Sequence, residues 1–144
     1  MKKYCFYGAN SKSITPINGD FSFVKDQRDL YDLLCKCWSI ETCAPRLRKD
    51  WSNSNFTLGQ CSITAFLVQD IFGGEVYGVL LPDGAFHCYN VIGDIEFDLT
   101  SEQFKTELDY SKGILQSREK HFANKEKYQR YNLLKSRLLN LKNN

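Results

Sequence analysis

Residues 57–104 read TLGQCSITAFLVQDIFGGEVYGVLLPDGAFHCYNVIGDIEFDLTSEQF, and this stretch decides the fold. Apolar residues go most of the way round a helix from Gln60 to Phe72, so we predict that this helix is buried on nearly all sides. Gly73-Gly74 ends the apolar run and is typical of a helix C-terminus.

Three runs rich in β-forming residues follow and predict strands at 75–81, 86–92 and 95–99. Gly93-Asp94 is a two-residue hairpin signal between the last two strands. With that turn, alternation places His87 and Asp98 on one face of the hairpin and Asn90 on the other. On this register Asp98, not Asn90, orients the imidazole of His87, and a bulge between the strands would reverse the choice.

Helices are predicted on either side of this stretch, over about 26–38 and 124–142, each with an apolar stripe at helical spacing. Thr100 and Gln103 have the spacing of a capping box, which predicts a further short helix. The expected architecture is one α+β domain over residues 1–144.

The composition is that of an ordinary globular protein, with 42% hydrophobic residues, 25% charged residues and a net charge of +2 in 144 residues. This balance argues against disorder and gives no overall basic surface for nucleic acid. No apolar run is long enough to span a membrane, and the start of the chain lacks the pattern of a secretory signal. We therefore expect a cytoplasmic protein whose six cysteines are reduced.

The order of Cys61, His87 and Asp98, and the helix and strands that carry them, suggest nucleophilic chemistry. Cys61 lies in the first turn of the predicted helix, where the partial positive charge stabilises a thiolate. A histidine can act as its base and a carboxylate can orient that histidine. The side-chain amide of Gln60 and the N–H of Cys61 are candidate oxyanion donors. Taken alone, Cys61 is better explained as a small buried core residue, the usual role of a buried cysteine.

The other cysteines do not predict a metal centre. Cys35 and Cys37 point about 200° apart on a helix, and no C-x-x-C pair accompanies Cys43. We predict no metal and no cofactor. The basic residues of the last helix are interpreted as a solvated face, so a nucleic-acid partner is not expected. His121 is predicted to be exposed.

Three segments resemble the YunG-like family of small uncharacterised bacterial proteins: TLGQCSITAFLVQDIFGGEV, FHCYN and FDLTSEQF. The pattern covers about residues 51–104 and, more weakly, Arg130-Tyr131. The positions of this sequence that match the family pattern are Trp51, Gly59, Gln60, Cys61, Gly73, Gly74, His87, Asn90, Asp98, Thr100, Gln103 and Phe104. The sequence departs from it at Cys88-Tyr89, where Tyr-Trp is expected, and it lacks a glycine often present in the hairpin. A cysteine that opens a helix, followed by a histidine strand and DLT, is also similar to papain/transglutaminase-like enzymes.

The resemblance implies a papain/transglutaminase-like core, with an N-terminal-Cys helix packed on an antiparallel sheet with flanking helices. The expected function is thiol-dependent acyl transfer or amide hydrolysis of a peptide, protein or small amide substrate, through Cys61, His87 and Asp98. Trp51, Tyr89 and Asn90 are predicted to contact the substrate. The alternative hypothesis is a non-catalytic domain that binds a peptide or protein in the same cleft.

Overall fold

A computed structural model describes residues 2–143 as an α+β protein with one antiparallel sheet. Its helices are α1 Gln27–Leu34, α2 Cys61–Phe72, α3 Arg118–Phe122 and α4 Lys125–Asn140, and its strands are β1 Glu75–Leu80, β2 Phe86–Ile92, β3 Ile95–Phe97 and β4 Ile114–Leu115. Short 3₁₀ turns complete the regular structure. The predicted class, α+β with an antiparallel sheet and helices, is confirmed.

The sheet has the strand order β3-β2-β1-β4, and α2 packs on β1 and β2 while α4 packs on α2. Nine of the twelve residues of α2 are buried, as its apolar circumference predicted. The helix ends where Gly73 adopts a φ of 83°, a conformation that favours glycine. Because α2 lies between the sheet and α4, its N-terminal residue is held in a fixed position at the edge of the core.

The hairpin register is the predicted one, since Ile92 pairs with Ile95 and Asn90 pairs with Phe97 across a two-residue turn. Asn90 faces α2 and donates a hydrogen bond to the Ala65 carbonyl at 2.9 Å. Tyr89 faces the opposite side of the sheet and belongs to a separate apolar cluster. The two faces of β2 therefore differ as alternation requires.

Several predicted boundaries differ from the structure. α1 ends at Leu34, four residues early, because the chain turns there and the Trp38 indole N–H donates to the Thr64 hydroxyl of α2 at 2.9 Å. β3 ends at Phe97, and the next residue, Asp98, donates its N–H to the Tyr7 carbonyl instead.

The short helix predicted after Thr100 is present as the 3₁₀ turn Ser101–Gln103, but its predicted capping box is wrong. The Thr100 side chain caps no helix, and its hydroxyl donates to Asp98 Oδ1 at 3.2 Å. The short elements β4 and α3 were not predicted, because β4 has only two residues and both are exposed.

α4 buries Tyr131, Leu134 and Leu138, as its stripe predicted. Tyr128 lies on the predicted stripe but is exposed. Arg130 is buried, although its position predicted a solvated face, because it donates to Glu126 and to the Thr42 carbonyl. Within residues 2–143, every helix is too short or too polar to cross a membrane.

Candidate functional site

Cys61 is the first residue of α2 and is half-buried at the wall of a cleft of about 580 Å³. Its Sγ lies 3.8 Å from the Phe86 carbonyl oxygen, in the residue before His87. The first N–H groups of a helix have no intrahelical acceptor and carry partial positive charge. A thiolate or an oxyanion beside Cys61 would therefore be stabilised by the start of α2.

Gly59 allows the backbone that leads into α2 to pack closely against Cys43 and Ala44. It has a φ of 75°, and its carbonyl accepts the Ala44 N–H at 2.9 Å. A Cβ at this position would lie 2.5 Å from Cys43 Sγ and 2.9 Å from the Ala44 backbone nitrogen. Only glycine fits both the backbone conformation and the space.

We expect Gly59→Ala to lower the free energy of unfolding by about 2–4 kcal/mol, because left-handed strain adds to a backbone clash. Gly93→Ala is the matched control, since Gly93 has a φ of 62° with nothing within 4 Å of the added Cβ. Gly93→Ala should lower the free energy of unfolding by only about 1–2 kcal/mol, the cost of the left-handed backbone conformation alone. Urea unfolding of both variants measures the difference, and equal losses would refute the close approach.

The His87 side chain is almost completely buried and is held by Asp98. His87 Nε2 and Asp98 Oδ2 are 2.6 Å apart, and each side chain is 1% exposed. Asp98 Oδ2 also accepts the Tyr110 hydroxyl at 2.7 Å. Asp98 Oδ1 accepts the N–H and the hydroxyl of Thr100 at 3.1 and 3.2 Å. These four hydrogen bonds fix the carboxylate, which in turn fixes the plane of the imidazole.

The second ring nitrogen of His87, Nδ1, is not the one bound to Asp98. Among the described residues, Nδ1 is buried and has no hydrogen-bond partner. With Nε2 facing Asp98, Nδ1 is the nitrogen left to exchange a proton in the cleft, which His87 lines together with Cys61. Phe104 packs edge-on against the ring with centroids 4.7 Å apart and restricts its rotation.

The charges at the site favour an imidazolium and a thiolate. Burial lowers the pKa of His87, but the charges of Asp98 and Cys61 outweigh it and raise that pKa to about 10. A hydrogen bond with the thiol of Cys88, followed by the charge of His87, lowers the pKa of Cys61 well below its usual value against the effect of burial. The interaction with Cys61 and burial raise the pKa of Cys88 well above its usual value. Cys61 is therefore the thiol of this pair that ionises first.

The remaining predicted site residues lie away from the cleft. Gln60 is fully buried, and its Nε2 donates to the Ser39 carbonyl at 3.0 Å, so its amide does not face the cleft as an oxyanion donor. The Trp51 indole donates to the Phe56 carbonyl at 2.9 Å within its own loop. Tyr89 donates to the Tyr110 carbonyl, and Asn90 donates to Ala65, and both are buried. The substrate contacts of these three residues stay predictions.

Three functional candidates were missed in the sequence. Tyr110 follows Asp98 by twelve residues in an irregular segment, and no local pattern indicates that it binds the carboxylate. His121 was predicted to be exposed, but it is partly buried and lines the cleft with Lys127.

The described residues contain no cluster of three or more His, Cys, Asp or Glu side chains that could hold a metal ion.

The fold and site define an α+β protein with a cysteine at a buried helix N-terminus beside a buried His–Asp pair. The family model described as YunG protein matches residues 26–143, and the chain belongs to the YunG family. It is similar to the uncharacterized protein YunG of Bacillus subtilis (strain 168), with 38% identity over 92 residues that cover 62% of this chain and 78% of that protein. No solved structure matches the chain significantly.

Proposed function

We propose that this protein is a cysteine-dependent enzyme that transfers acyl groups or hydrolyses amides, with Cys61 as the nucleophile, His87 as the general base and acid, and Asp98 as the residue that orients His87. The observation that carries this proposal is the buried imidazole, whose Nε2 is held by Asp98 while Nδ1 has no partner among the described residues. A purely structural histidine would be expected to satisfy both ring nitrogens.

In the proposed reaction, the Cys61 thiolate attacks the carbonyl carbon of the substrate and forms a tetrahedral oxyanion. First-turn N–H groups of α2, including that of Cys61, are the proposed oxyanion donors. His87 gives its proton to the leaving amine, the C–N bond breaks, and a thioester on Cys61 remains. Water or a second amine then attacks the thioester while His87 takes up its proton, which releases the acyl product and the Cys61 thiolate.

We also propose that the core is papain/transglutaminase-like. This rests on the order of the elements, since the cysteine begins the helix that packs on the sheet and the histidine lies on the strand against which that helix packs. The proposed substrate is a peptide, protein or small amide. The cleft volume of about 580 Å³ is within the range of small-molecule and cofactor sites.

The direct test is alkylation of the intact protein by iodoacetamide as a function of pH, with peptide mapping of each cysteine. Because the pKa of Cys61 is lowered, its thiolate is present at pH values where Cys35 and Cys88 are still protonated. We expect Cys61 to react roughly tenfold faster than Cys35 at pH 6. Cys35 is the comparator because it is the more exposed thiol, so accessibility alone favours it.

The Asp98→Asn variant tests the cause of the lowered Cys61 pKa. Loss of the carboxylate charge destabilises the imidazolium of His87, and the Cys61 profile should therefore move to higher pH. A Cys61 that reacts more slowly than Cys35 at pH 6, or a profile unaffected by Asp98→Asn, would argue against the nucleophile and its charge partner.

A further inference from the structure

Among the described residues that line the cleft, Lys127 is the one lysine or arginine without a carboxylate within ion-pair distance. Arg46 is paired with Asp83 at 2.9 Å, and Arg130 is paired with Glu126 at 2.6 Å. Lys127 also lines the cleft, but no carboxylate of residues 2–143 lies within ion-pair distance of it. The pairing of its neighbours makes Lys127 the cation available to a ligand.

His121 holds the Lys127 side chain in place without neutralising it. Lys127 Nζ lies 2.9 Å from His121 Nδ1, and His121 Nε2 lies 2.8 Å from Gln116 Oε1. A lysine ammonium can only donate, so Nδ1 accepts and Nε2–H donates to Gln116, which defines a neutral imidazole. Burial, and then the charge of Lys127, lower the pKa of His121 to about 4, so the ring stays neutral at pH 7.

Lys127 lies where the cleft meets a second recess of about 520 Å³. The two cavities share a wall made of Phe86, His121, Asn124 and Lys127. Lys120 also lines the recess and adds to its positive charge. One of the three Lys127 N–H donors is used by His121, which leaves two for a ligand at this junction.

We propose that the acyl donor of this enzyme carries an anionic group, a carboxylate or a phosphate, that binds Lys127 at the junction of the cleft and the recess. This inference rests on the proposed function, because it places the reacting carbonyl at Cys61 and the anion at the shared wall. His121 is a positioning residue in this arrangement, since its Nδ1 accepts from the Lys127 ammonium and directs it.

The test compares paired alkylating probes on the full chain. Each pair consists of an N-iodoacetyl amino acid with a free carboxylate and its neutral methyl amide, with spacers of increasing length. A phosphate-terminated probe of matched length distinguishes the two anions. The ratio of the Cys61 alkylation rates within one pair cancels the thiolate fraction, so a change in the Cys61 pKa does not affect the ratio.

We expect an anionic probe of suitable length to react about tenfold faster than its neutral twin, the gain typical of a charge-assisted hydrogen bond. Lys127→Met should abolish this advantage, and Lys127→Arg should retain most of it. Lys125→Met is the matched control, because Lys125 is an exposed lysine of the same helix that does not line the cleft. It should leave the ratio unchanged.

The outcomes separate this inference from the proposed function. Rate ratios near one for every spacer and both anions, with Cys61 still reactive, would overturn the anion site alone. An advantage that survives Lys127→Met would overturn it as well. Failure of Cys61 to react with the neutral probes faster than Cys35 would instead overturn the nucleophile assignment.

Discussion

The Cys61→Ala variant is expected to lose acyl transfer by on the order of 10³-fold or more, because removal of a nucleophile abolishes the covalent route. The measurement uses p-nitrophenyl acetate, whose activated ester needs little help with its leaving group. Wild-type protein should release a burst of p-nitrophenol that matches the protein concentration. The peptide that contains Cys61 should gain the mass of one acetyl group, and the variant should show neither signal.

The control for this experiment is Cys35→Ala, which removes an exposed thiol away from the cleft. It should retain the burst and the acetylated Cys61 peptide. A burst that persists in Cys61→Ala, or an acetyl group found mainly on another cysteine, would contradict the proposed role. Wild-type protein that forms no acyl-enzyme, together with a peptide partner whose affinity Cys61→Ala leaves unchanged, would instead favour the non-catalytic binding hypothesis.

The Asp98→Ala variant is expected to lower the free energy of unfolding by about 3–5 kcal/mol, the usual cost of removing one partner from a buried ion pair. His87 is 1% exposed and would lose the carboxylate that stabilises its charge. The Tyr110 hydroxyl and the Thr100 N–H would lose their acceptor at the same time. Urea unfolding at constant pH measures the loss.

Asp98→Asn separates the charge of this residue from its shape. The amide oxygen can still accept the His87 Nε2–H, so the loss of stability should be smaller than in Asp98→Ala. The pKa of His87 should fall from about 10 towards its ordinary value of 6.5, which NMR titration of the ring detects. Two results would contradict this role of the His87–Asp98 pair. One is a decrease in the free energy of unfolding below about 1 kcal/mol in Asp98→Ala, and the other is a His87 pKa that is unchanged in Asp98→Asn.

The sequence predicted the elements that have a strong local pattern. α2 was predicted within one residue because its apolar run is bounded by Gly73, and β2 was predicted with its observed bounds. The hairpin register followed from Gly93-Asp94 and alternation, and it placed His87 and Asp98 on one face. Each of these features depends on residues close in sequence, so periodicity and turn chemistry contain the necessary information.

The predictions that failed concern side chains whose partners are distant in sequence. Gln60 was expected to face the cleft, but the Ser39 carbonyl, 21 residues earlier, takes its amide. Thr100 was expected to cap a helix, but its hydroxyl binds Asp98, because the buried carboxylate requires donors. Burial of His121 followed from α3, a five-residue helix that its sequence pattern did not predict.

By itself, the sequence determined the α+β class, the position of Cys61 at a helix start and the shared face of His87 and Asp98. Only the tertiary structure decided that His87 Nδ1 has no hydrogen-bond partner among the described residues, and that Tyr110 and Thr100 donate hydrogen bonds to Asp98. It also decided that Lys127 lines the cleft without a carboxylate partner in residues 2–143, while its neighbour Arg130 is paired with Glu126. The physical reason is that backbone periodicity is a local property. Hydrogen-bond satisfaction and charge pairing are settled by whichever groups the packed chain brings together.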